Sequence, residues 1–154
     1  MAFLGVRCSN SDFTYAILTG EPDCPKIIDK KNILFPKNYL KHQSLKWFLQ
    51  EIEDILKNNI TLKVISIKGT EPLAQKGKSF ISRTEYEAII YLAAANNGIK
   101  HIFKKVKSTI AKDLGLKGKV KYLSTKLDYS VFPNFESEND KMQEAILVAW
   151  SSMK

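Results

Sequence analysis

Arginine, cysteine and histidine are scarce in this chain: 154 residues contain two of each. Cys8 and Cys24 are too few for a disulfide framework and are not spaced as a metal pair. His42 and His101 stand far apart and cannot by themselves supply a zinc site. No apolar run approaches the ~18 residues that a membrane span needs. The opening Met1-Ala2-Phe3-Leu4-Gly5-Val6 is too short for a signal peptide and lacks a basic leader. The expectation is a soluble, cytoplasmic protein. Hydrophobic residues at 44% and aromatics at 10% exclude a disordered tail or low-complexity linker. A chain of this length can bury a core without staples, so residues 1–154 are expected to form one domain.

What the chain has in excess is lysine. Its 24 basic residues face 16 acidic ones, for a formal charge of +8, and only Arg7 and Arg83 are not lysine. Nine lysines fall between Lys100 and Lys126, among them Lys104, Lys105, Lys107, Lys117, Lys119 and Lys121, opposed by Asp113 alone. A second basic stretch runs from Lys26 to Lys41. Such surfaces attract polyanions, because phosphate contacts release condensed counterions. The same lysines are also what an AT-rich genome encodes to keep a surface solvated. Nucleic acid is therefore one candidate partner. A protein partner or a second copy of the chain, with the lysines only solubilising, is the other.

The hydrophobic period divides the chain. Ala2 to Val6 is nearly all apolar, as in a strand covered on both faces. Phe13 to Leu18 reads as a second strand after the turn residues Ser9-Asn10-Ser11-Asp12, with Thr19 to Pro25 as a loop. A third strand is expected over Asn32 to Phe35, before Pro36. The period then lengthens. Ser44 is placed to cap a helix carrying Trp47, Phe48, Ile52, Ile55 and Leu56 on one side. Leu62 to Ile67 follows as a strand, and Gly69 to Phe80 as a loop. Ser82 and Glu85 form a possible capping box for a helix to Asn97, stopped at Gly98. Ile99 to Phe103 is a short strand, Ser108 to near Gly115 a short helix, and Lys119 to Lys126 another. Met142, Ala145, Ile146, Ala149 and Met153 mark a last helix. The order implies an α/β fold with a mixed five-stranded sheet, three antiparallel strands then parallel ones, flanked by helices.

This order resembles the ribonuclease H-like fold, and within it the branch of RuvC-type Holliday junction resolvases. Gly5-Val6-Arg7-Cys8-Ser9 stands where that family has Gly-Ile-Asp-Pro-Gly, and Ile65-Ser66-Ile67-Lys68 where its fourth strand ends in Ile-Glu. Val106-Lys107-Ser108-Thr109 through Lys117-Gly118-Lys119-Val120 is similar to its basic Val-Lys stretch. Asp140 to Ala149 is similar to its terminal helix, which opens with paired aspartates. The loop Lys76-Gly77-Lys78 and the helix after it also resemble small single-domain members of the superfamily. The resemblance implies a nuclease whose clustered carboxylates hold two divalent ions ~4 Å apart.

Arg7 and Lys68 take two of those carboxylate positions. At ~4 Å a unit charge repels another by about 4 kcal/mol at an effective dielectric near 20, and a divalent ion by roughly twice that. Lysine can escape by deprotonating; arginine cannot. The resemblance therefore implies a degenerate nuclease, with no cofactor and no metal site. Arg7 and Lys68 are expected to face Asp140 or Glu144 across the old pocket, unless Arg7 simply points to solvent. Asp140 and Glu144, four apart, share a helix face. They are either a remnant of the paired acids or, with Glu136 and Glu138, a complement to the helix dipole. Glu71 with Asp140 and Glu144 is the one set of relocated acids that would bring magnesium or manganese back, and with it cleavage. Lys76-Gly77-Lys78-Ser79 either holds a phosphate or is a solvated connector; it is not a P-loop, since the upstream glycine is absent. Lys76 and Lys78, with Lys104, Lys105, Lys107, Lys117, Lys119 and Lys121, are the expected phosphate contacts. Trp47 and Trp150 are expected in the core, and Cys8 has no histidine base to make it a nucleophile.

Overall fold

A computed structural model describes residues 1–116 and 127–154. Its order is β1 (Ala2–Cys8), β2 (Asp12–Glu21), β3 (Cys24–Leu34), α1 (Lys41–Asn58), β4 (Leu62–Lys68), α2 (Lys78–Asn96), β5 (His101–Lys105) and α3 (Lys107–Asp113). Two 3-10 turns, Tyr129–Val131 and Phe135–Ser137, then lead into α4 (Asp140–Trp150). The helix expected over Lys119 to Lys126 lies outside the described residues.

The sheet runs β3-β2-β1-β4-β5. β1 is antiparallel to β2 and parallel to β4, while β2–β3 is antiparallel and β4–β5 parallel. The expected α/β fold with a mixed five-stranded sheet is therefore what forms. Strand alternation sends Leu4, Val6, Phe13, Ile17, Ile65 and Ile67 to one face, where Phe48, Ile52, Tyr86 and Ile90 of α1 and α2 cover them. Phe35 stacks on Tyr86 with centroids 3.9 Å apart, and Phe13 and Phe48 close the cluster edge-on at 4.8 Å. The other face packs Ala16 and Leu18 against Ile110, Phe132 and Ile146, with Trp150 buried as expected. Trp47 lies at the edge of the first core.

Several boundaries differ from the sequence reading. β2 runs on to Glu21, through Thr19 and Gly20, which were expected in a loop. β3 begins at Cys24 and pairs with β2 along its whole length, from Glu21↔Cys24 to Asp12↔Leu34. Its Asp29-Lys30-Lys31-Asn32 run looks unlike a strand because β3 is an edge, where charge discourages pairing with another chain. α1 starts at Lys41, so Ser44 is not its cap; its hydroxyl is buried against the Tyr86 hydroxyl at 2.8 Å. α2 starts at Lys78 with Gly77 as cap, which leaves Ser82 inside the helix, bonded by Lys41 Nζ at 2.6 Å.

Helix α4 reaches the sheet at Gly5. A Cβ there would run into the Ala145 carbonyl oxygen and stand 2.9 Å from Ala149 Cβ. Gly5, Ala145 and Ala149 therefore let helix and strand backbones touch, which fixes where the rest of α4 falls. Gly5→Ala overpacks a contact made of backbone. It should cost about 3 kcal/mol, the upper end for such changes, and lower the melting temperature by roughly 10 °C for a chain of this size. An unchanged thermal unfolding curve would refute the close seating.

Candidate functional site

β1 and β4 run side by side with Val6 opposite Ile67. Arg7, the penultimate residue of β1, and Lys68, the last of β4, therefore emerge together at the carboxyl ends of parallel strands, where open α/β sheets place their ligand sites. β5 ends beside them, with Lys105 opposite Lys68. Three neighbouring strand ends thus carry cations. Each meets a carboxylate, because a buried charge left unpaired costs far more than the pair.

Arg7 Nε donates to Glu144 Oε2 at 2.9 Å, across from α4, and Nη1 donates to the Cys8 carbonyl at 2.7 Å. Arg7 does not simply point to solvent. Lys68, only 2% exposed, turns elsewhere: Nζ donates to Glu71 Oε1 at 2.8 Å and to the Gly69 carbonyl at 2.6 Å. It does not face Asp140 or Glu144, because the loop after β4 brings Glu71 back within reach of its own strand end. Glu71 also accepts the Lys107 backbone N–H at 3.0 Å. Burial alone would raise the Glu71 pKa, but the Lys68 ammonium and the Lys107 amide hold it below the usual carboxylate range. Asp140 is exposed in the first turn of α4, beside Asn139, whose side chain caps Met142 N–H at 2.9 Å. That position matches the helix-dipole alternative.

Three residues of the cluster, Arg83, Glu87 and Asp113, were not singled out as site residues from the sequence. Glu87 is 1% exposed inside α2 and takes cations from both sides, Arg83 Nε at 3.3 Å and Lys104 Nζ. Arg83 Nη2 also donates to the Lys68 backbone carbonyl. Burial and nearby Arg7 lower the Arg83 pKa, and Glu87 and Glu144 oppose them. Both arginines of the chain thus converge on one corner. Two signals pointed there: the rarity of arginine, and the Arg83/Glu87 spacing on the helix face that carries Tyr86 and Ile90. Burial also pushes the Cys8 thiol up, aided by Glu87, so it stays protonated and is no nucleophile.

The corner therefore holds Arg7, Lys68, Arg83, Lys104 and Lys105 against Glu144, Glu71, Glu87 and Asp113. Among the described residues no three His, Cys, Asp or Glu converge as a possible metal site. Glu71, Asp140 and Glu144 are not brought together: one holds Lys68, one is solvated and one holds Arg7. This donor set does not fit a pair of divalent ions, since each carboxylate at the strand ends already has a cation of the protein.

Of the lysines expected to contact phosphate, Lys76, Lys78, Lys104 and Lys107 are exposed. Lys105 is not. It is buried, with Nζ 2.8 Å from Asp113 Oδ2 and 3.2 Å from the Ser151 carbonyl, because its position on β5 points under the end of α4. Lys117, Lys119 and Lys121 lie outside the described residues. The first turn of α2, which opens at Lys78, contains no acid to offset the lysines around it.

The architecture is that of the ribonuclease H-like fold of RuvC type. The Thermus thermophilus RuvC in complex with Holliday junction substrate superposes with a TM-score of 0.72 over 98% of this chain and 91% of that one, at 10% identity. The yeast mitochondrial Holliday junction resolvase Ydc2 gives 0.62 over 97% of this chain and 76% of that one, at 16% identity. No protein-family model and no curated protein sequence matches.

The Arg7–Glu144 pair is about four-fifths buried on both sides. Arg7→Ala should cost about 2 kcal/mol, between the exposed and fully buried limits. A double-mutant cycle of Arg7→Met with Glu144→Gln should give a coupling of about 1 kcal/mol or more; additive losses would mean no working pair. Acid stability has a definite sign. Asp12 is also depressed: burial opposes ionisation, but hydrogen bonds from Lys141, Ser9 and Asn32 prevail. Asp12 and Glu71 thus contribute stability that is complete above the ordinary carboxylate pKa near 4 and lost as pH falls through their lower native values. Asp12→Asn should be less stable than wild type at pH 7, with the two denaturation midpoints converging as pH falls below the ordinary carboxylate range.

Proposed function

We propose that the chain is a catalytically degenerate RuvC-like domain that binds nucleic acid through its lysines without cutting it. The observation that carries this reading is the corner at the ends of β1 and β4. Where a two-metal nuclease needs uncommitted carboxylates, this protein has Arg7 and Lys68, each held by an acid that would otherwise be free to bind metal. The cations of the protein take the electrostatic part that divalent ions play in a two-metal site. They cannot activate a water as a metal does, so the hydrolytic step has no agent.

Binding needs none of that machinery. Lys76, Lys78 and Lys107 are exposed, and Lys107 opens α3 where Glu71 from the loop after β4 meets it. The RuvC neighbour whose structure includes a Holliday junction supports nucleic acid as the partner class. Lysines on a surface recognise phosphate spacing and not base sequence. The two cysteines are free, in keeping with a cytoplasmic site of action.

The test is fluorescence anisotropy with a labelled duplex, a four-way junction and a single strand. Binding should weaken steeply between 50 and 200 mM salt, with little sequence preference. Lys76→Glu with Lys78→Glu should lower affinity at least tenfold, and magnesium or manganese should yield no cleaved product. Failure to bind any of the three at low salt would overturn the binding half. Metal-dependent cleavage lost on Glu144→Gln would overturn the degenerate half.

A further inference from the structure

We infer that Glu71 is a positioning residue: by holding Lys68 and the first amide of α3 together, it sets Lys107, the lysine that opens α3, against the strand-end corner. This rests on the binding reading above and says how one part of that surface is held in place. Glu71 bridges two elements, β4 and α3. One of its oxygens, Oε1, lies 2.8 Å from Lys68 Nζ on β4 and 3.0 Å from Lys107 N at the start of α3. The next backbone link runs the same way, with Gly69 N–H donating to the Lys105 carbonyl at 2.8 Å.

The rest of α3 is fixed by other means. Ile110, Ala111 and Leu114 are buried in the second core, and Asp113 is held by Lys105. Its first turn, Lys107-Ser108-Thr109, is exposed, and the N-cap residue Val106 supplies no side-chain cap. The first amides of a helix have no partner within it, and Glu71 supplies one. The same oxygen also accepts from the buried Lys68 Nζ, a second and separate contact. Lys107 therefore presents its side chain from a tethered backbone. A lysine fixed in this way meets phosphate at less entropic cost than one on a frayed turn.

Two variants separate this role from bulk charge. Glu71→Ala combined with Lys68→Met removes one charge of each sign, so the formal charge stays at +8, and it leaves no buried ammonium unpaired. Lys68→Met alone lowers the charge by one but keeps the carboxylate on Lys107. A charge-only account ranks the single variant as the weaker binder. The tether ranks the double variant weaker: about three- to tenfold lower affinity for a 20-base-pair duplex, with a salt slope smaller by about one phosphate contact. Amide exchange at Lys107 should accelerate at least tenfold in the double variant and little in the single one. Equal exchange in both, or the reverse order of affinities with an unchanged slope, overturns the inference and leaves the binding reading intact. If the wild-type protein binds no polyanion, the binding reading falls and takes this role with it.

Discussion

The contact of α4 with β1 at Gly5 governs the rest of the corner. With no side chain between the two backbones, the helix cannot slide or roll without clashing, and Ala145 and Ala149 on its near side keep the approach close. Glu144 immediately precedes Ala145, so its carboxylate is delivered to the end of β1 whether or not a metal waits there. The far end of α4 is tied as well. Ser152 Oγ meets Ser66 Oγ at 2.6 Å, and Ser151 receives Lys105. Helix, strand ends and loop thus form one rigid frame, on which the chemistry of the site depends.

Within that frame the charges follow a simple rule. Buried cations at Lys68, Arg83 and Lys105 would be prohibitive alone, and each is met by a carboxylate within about a hydrogen bond's length. The corner is nearly neutral as a result. Most of the chain's +8 therefore comes from residues other than these; charges exposed to solvent are screened by water and counterions until a polyanion arrives. The acids at the strand ends are committed to the fold: Glu144, Glu71 and Asp113 each hold a cation of the protein.

Much of this was legible in the residues. The apolar run at Ala2 to Val6, the period-3.6 pattern from Trp47 to Leu56 and the buried last helix announced the layers. Arg7 and Lys68 stood out because cations there conflict with the chemistry the element order implies. Strand β3 was harder to read, since an exposed edge strand is selected for charge and not for alternation. Glu87 was hidden for a related reason: an acid inside an apolar helix reads as surface until something is seen to pair with it. Glu71, one residue among several in a polar loop, had no pattern to mark its two partners.

The sequence by itself determined the layer order, the sheet, the excess of lysine and the identity of the strand-end cations, because each follows from local periodicity or from composition. Which acid meets which cation was decided only in three dimensions. Arg7 pairs with a residue 137 positions away, Lys68 with one three positions on, and Lys105 pairs with Asp113 while Lys104 beside it reaches Glu87 on α2. Those choices depend on the angle at which α4 crosses the sheet and on the path of the loop back over β4. Ion pairing is short in range, so sub-ångström placement of backbones, which no spacing encodes, selects the partners.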